Sequence, residues 1–146
     1  MRLYHLRVRN RKPWPPATGV QVFLVQIEEP GPGGALNETY RDEIPLPWKH
    51  QTLHTIARTI GHDADCGLFR VSQERWFSVM LIGYPVGFKF HQRREPFDGV
   101  VFTVQARAAE GNTAVKRLRV SWDGEWDRGE VEMSRHLQIQ ELPDET

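Results

Sequence analysis

The segment Arg2-Leu3-Tyr4-His5-Leu6-Arg7-Val8-Arg9 alternates strictly, and its reading decides the fold. Tyr4, Leu6 and Val8 fall on one side of an extended chain, while His5, Arg7 and Arg9 fall on the other. A period of two is what a strand with one buried face requires. Behind it, Asn10 to Pro16 carries three prolines, which fix φ and remove donors, so neither strand nor helix continues there. A second strand is expected over residues 19–28, where β-branched residues dominate.

The same reading extends along the chain. Ile44-Pro45-Leu46-Pro47-Trp48 is an extended piece confined to a sheet edge, because two prolines cannot donate to a central ladder. Short strands are expected at 53–60, 67–71 and 76–82, and Phe77 to Ile82 is apolar enough to be buried on both faces. Residues 51–59 also place Leu53, Ile56 and Ala57 at helical spacing, although Thr52, Thr55 and Thr59 weaken a helix. Tyr84, Val86, Phe88 and Phe90 alternate with Pro85, Gly87 and Lys89, again at period two. Residues 100–108 and 115–122 flank a Glu110-Gly111-Asn112 turn signal, and a last strand at 131–139 buries Val131, Met133, Leu137 and Ile139. Eight or nine short strands with turns between them give an all-β, antiparallel β-sandwich spanning residues 1–146 as one domain. The glycines and prolines of 29–37 make a connection inside that sandwich rather than a linker, since too little chain precedes them for a separate core.

Composition excludes several classes. Of 146 residues, 39% are hydrophobic and 26% charged, which suits a folded domain rather than a disordered chain. No run of about 18 apolar residues is present, so no helical membrane insertion is expected. No basic stretch followed by an apolar run opens the chain, so no secretory signal is expected either. A single cysteine, Cys66, rules out an internal disulfide and a four-cysteine zinc site. Nineteen basic and nineteen acidic residues cancel, and no nucleic-acid motif accompanies them, so nucleic acid is not an expected partner. Residues 1–12 hold five basic residues and no acid, and residues 123–146 hold eight acids against Arg128 and Arg135, which is expected to reflect pairing between the first and last strands.

The hairpin Tyr4-His-Leu-Arg-Val-Arg-Asn10 to Ala17-Thr-Gly-Val20-Gln-Val22-Phe-Leu24 resembles the opening of bacterial immunoglobulin-like modules of the CARDB and NEW3 kind. Asn10 is expected to start the turn by bonding its own backbone, with Val20, Val22 and Leu24 facing inward. Ile60-Gly61-His62 to Val71 resembles a second element of those modules, with His62 where a Pro-Gly turn is usual, and Val120 to Asp127 resembles their closing segment. The resemblance implies a binding or spacer module of a bacterial protein, with no catalytic residues to carry over. The strand that begins directly after Met1 suits a domain of a longer chain.

Three chemistries compete with that expectation. The cluster His54, His62, Asp63, Asp65 and Cys66 holds zinc-competent ligands, but its spacing is not that of a zinc site, and a polar turn between strands is the preferred reading. Asp63-x-Asp65 and Asp123-x-Glu125-x-Asp127 alternate acids as calcium loops do, yet lack the glycine and glutamate such loops need; Asp123-Gly124 reads as a tight turn with Trp122 and Trp126 on either side. Five tryptophans raise carbohydrate stacking, with Trp14 and Trp48 expected to be exposed and Trp76 and Trp122 in the core. No nucleophile elbow is present and no cofactor is expected. The sequence therefore points to a non-catalytic protein-interaction or spacer module, with Trp14 and the loop at 31–34 as its expected contact points and Trp14 as the better anchor, and with carbohydrate binding by Trp14 and Trp48 or a small metal enzyme as alternatives.

Overall fold

The computed structural model describes residues 1–11, 15–49 and 57–143. They form an antiparallel β-sandwich of nine strands in sheets of three and six. In chain order the strands are β1 (Arg2–Arg9), β2 (Ala17–Pro30), β3 (Leu36–Pro45), β4 (Arg58–Ile60), β5 (Asp63–Ser72), β6 (Trp76–Val79), β7 (Phe97–Arg107), β8 (Thr113–Trp122) and β9 (Leu137–Glu141), with one helical turn, α1 (Glu130–Met133), before the last. The small sheet runs β1-β5-β6 and the large one β3-β2-β7-β8-β9, with β4 pairing β2.

Aromatic rings join the two layers. Phe69 of β5 meets Phe102 of β7 edge-on at 5.2 Å, and Phe77 of β6 lies 5.0 Å from Phe97 and 6.1 Å from Trp122. Phe69, Phe77 and Phe102 are fully buried. Val20, Val22 and Leu24 point into the same core, and Tyr4, Leu6 and Val8 pack against it as their alternation requires.

Three expectations are corrected. Residues 84–90 alternate in sequence but form no strand: Pro85 to Phe88 is a turn closed by the Phe88 N–H on the Pro85 carbonyl, with Gly87 at φ +75. The connection after this turn caps the free edge of β6, because Phe77 exchanges backbone bonds with Arg93 and the Val79 N–H donates to Phe90. The last element is a helical turn followed by β9, so Met133 and Leu137 are buried four residues apart, while Val131 is 66% exposed. The first and last strands are not partners, since they belong to different sheets; Arg7 of β1 instead pairs with Asp65 of β5 at 3.2 Å.

Trp48 is also not where its prolines suggested. It is 3% exposed, because the chain crosses here from the large sheet to the small one. The Leu46 N–H donates to Val22 of β2, and Trp48 bridges Cys66 of β5. Pro45 and Pro47 lack donors, and the carbonyl of Pro47 takes the Gly67 N–H at 2.7 Å. With Pro45 and Pro47 turned away, Leu46 and Trp48 alternate into the core. Trp48→Ala is therefore expected to destabilise the fold by about 3–5 kcal/mol, the range for a large buried aromatic. Guanidinium unfolding checks this; a change below about 1 kcal/mol would place the ring outside the core.

Candidate functional site

A large concavity opens at one end of the sandwich, where β1 ends, β2 begins, and β7 turns into β8. It encloses about 660 Å³. Val8, Ala17, Val20, Ile60, Ala106 and Ala108 give it an apolar floor. The local sequence explains the opening. Gly19 sits in β2 at φ +57, a conformation that suits glycine, and a Cβ there would approach Ala109 to 3.1 Å. Without that side chain, β2 bulges between Ala17 and Val20, and the Ala109 N–H reaches the Thr18 carbonyl at 2.8 Å. Gly111 at φ +97 makes the facing β7–β8 turn, as the Glu110-Gly111-Asn112 signal indicated. Asn10 ties the floor together across the chain: its side-chain amide donates to Pro15 and Ile60, and its backbone N–H to His62.

The charged rim is unequally satisfied. Arg107 is clamped bidentately by Glu43 at 2.7 and 3.0 Å and lies over the Phe23 ring at 4.7 Å. This pairing raises the guanidinium pKa and holds the Glu43 carboxyl below its usual range. Glu110 is also held low, because the Thr18 N–H and hydroxyl both donate to it. Arg9 and Arg11 line the same cleft with no ion pair among the described residues. The end is thus apolar at its base and cationic at its lip.

The expected site residues fare differently. Trp14 lies outside the described residues, but Arg11 and Pro15 on either side of 12–14 both line the cleft. Trp48 is buried, so it offers no exposed stacking face. Trp76 and Trp122 are buried as expected, and Trp126 is half-buried. The loop at 31–34 joins β2 to β3 at the far end of β2 from the cleft.

The histidine–acid–cysteine cluster is pulled apart by strand alternation. Residues 63–66 belong to β5 rather than to a turn: Ala64 and Cys66 face inward, Asp63 faces out, and Asp65 bonds Arg7. Burial, reinforced by the Asp65 charge, pushes the Cys66 thiol up to about 12, so it is held as the unreactive thiol. His62 is exposed, His54 lies outside the described residues, and no group of three His, Cys, Asp or Glu side chains among those described is arranged to hold a metal ion.

A constellation that sequence spacing did not reveal lies at the β8–β9 connection. His136 Nδ1 is 2.7 Å from Asp123 and Nε2 is 3.2 Å from Asp127. Asp123-Gly124 does form the expected tight turn, with Gly124 at φ +88 and the Glu125 N–H on the Asp123 carboxylate. Carboxylates only accept, so both bonds are made together only when the ring carries a proton on each nitrogen. The hydrogen bond to Asp123, then that to Asp127, raises its pKa above the usual histidine value. A group raised in the folded state stabilises fully below its unfolded pKa, and that contribution is lost as pH climbs through the folded one. Proton NMR of the His136 ring is expected to show titration above the usual histidine range, lowered by Asp123→Asn. Titration at or below that range would mean that the two carboxylates do not hold the ring.

No family model, curated protein or solved structure matches the chain, so the likeness to CARDB and NEW3 modules rests on the quoted residues alone.

Proposed function

We propose that this chain is an immunoglobulin-like, non-catalytic interaction module that takes another protein at the cleft end of the sandwich. The observation that carries the reading is the cleft itself: an apolar floor with Arg9 and Arg11 at its lip, neither in an ion pair among the described residues. Interfaces combine a desolvated apolar centre with a polar rim, and arginine and tryptophan are frequent anchors there. Trp14, three residues beyond Arg11 and one before Pro15, is the aromatic closest in sequence to this lip. The inward-facing, protonated Cys66 supports the non-catalytic half of the reading. Trp48, Trp76 and Trp122 are all buried and offer no face on which a sugar could stack.

The test compares wild type with Trp14→Ala and with Arg9→Glu/Arg11→Glu, all in matched folded samples. A protein captured stoichiometrically by wild type, and rebuilt as a complex from purified components, is expected to bind each variant at least tenfold more weakly. Full binding by both variants would move the site away from this end. Binding of a glycan panel with no protein partner would replace the reading.

A further inference from the structure

A second concavity lies at the opposite end of β1, about 23 Å along the strand from the cleft lip. It encloses about 430 Å³ and is lined by Met1, Arg2, Leu3, Gln73, Trp126 and Arg128. Two cationic side chains and no carboxylate face it. Arg2 donates one Nη2–H to the Arg128 carbonyl at 3.0 Å, and this bond brings the start of β1 against the 123–130 segment. Neither guanidinium has an ion pair among the described residues.

Hydrogen-bond accounting supplies an independent observation. Arg2 Nε and Trp126 Nε1 are both buried with no hydrogen-bond partner among the described residues. Both are donors only, and both belong to residues lining this pocket. Arg70 Nε is a further unpartnered buried donor, on the β5 residue in register with Leu3. Buried donors in native proteins are almost always satisfied, so a group of them marks a place where an acceptor is missing. The nearby acids are committed elsewhere: Glu125 to Arg75 at 3.5 Å and Asp127 to His136. Glu130 sits close enough to Tyr4 to oppose its ionisation and does not line the pocket.

We infer that this pocket binds a small oxyanion, a carboxylate or a phosphate, between Arg2 and Arg128 with the Trp126 indole N–H as a further donor. Such a group accepts only, carries the charge that two facing guanidiniums lack, and fits their forked donors. The ligand closes the contact between β1 and the 123–130 segment, so binding also orders that end of the sandwich.

The experiment is a titration of the ¹⁵N-labelled protein with sodium phosphate, sodium acetate and, as the control, sodium chloride at matched ionic strength. The Trp126 indole N–H resonance, assigned through Trp126→Phe, is the readout. A saturable shift with phosphate or acetate but not with chloride is expected, and which of the two saturates first identifies the oxyanion. Arg2→Gln and Arg128→Gln are each expected to weaken that binding about tenfold or more while the remaining spectrum shows the native fold. A shift that chloride reproduces, one that survives both substitutions, or no saturable shift with either oxyanion would overturn the inference. Arg9→Glu/Arg11→Glu at the distant cleft is expected to leave this titration unchanged, so the two sites stand or fall separately.

Discussion

Everything in this molecule hangs on the packing of Phe77 between the two sheets. Its ring touches Phe69, Phe90, Phe97, Phe102 and Trp122, which come from both layers and from the connection before β7. Aromatic pairs in edge or tilted geometry add about 0.5–1.5 kcal/mol each beyond simple burial. The strand that carries this ring has only four residues and pairs on one side with β5 alone. Its other edge is closed by backbone bonds to Phe90 and Arg93, and the Ser78 hydroxyl accepts the Gln92 N–H at 2.6 Å. Covering that edge removes a row of unpaired backbone groups that would otherwise invite association. The aromatic cluster therefore fixes the inter-sheet spacing, and the cleft and the oxyanion pocket occupy the ends that it leaves open.

The elements read correctly from sequence are those whose burial is one-sided and periodic. In β1, Tyr4, Leu6 and Val8 face the core because each alternates with a charged or polar neighbour. The hairpin around Gly111 was equally legible, since its turn chemistry and flanking β-branched strands agree. β3 was mostly missed, because residues 37–43 are polar on both faces of an edge strand and carry no burial rhythm. Residues 84–90 have the rhythm without the strand: Phe88 and Phe90 point inward from a turn, and one of the apparent core positions, Val86, is fully exposed. Period two tells which side chains alternate, but not whether a partner strand exists for the backbone to bond. The prolines beside Trp48 are no sign of exposure, because here they mark a crossover between sheets that buries the ring.

The site-level features show the same divide. The separation of Cys66 from Asp63 and Asp65 follows directly from alternation once the strand is extended to Asp63. The clamp on His136 was invisible, because its carboxylates lie nine and thirteen residues away and converge only when the 123–136 segment closes. That closure is itself a packing event, led by Met133 and Leu137 entering the core. Net charge also misled. Cationic and acidic residues balance over the chain, yet Arg9 and Arg11 line one end and Arg2 and Arg128 line another with no ion pair among the described residues. Local excess after pairing, rather than the total, is what a binding partner meets.

A shared aromatic core makes the two sheets one cooperative unit, and equilibrium unfolding is the most direct measurement of that. Guanidinium titration of wild type and Phe77→Leu would be followed by far-UV circular dichroism for backbone and near-UV circular dichroism for the aromatic cluster. Coincident transitions in wild type, displaced together to lower denaturant by the substitution, are expected of a single core. Two separated transitions, or a substitution that moves one signal and not the other, would show that the sheets fold independently and contradict the shared core.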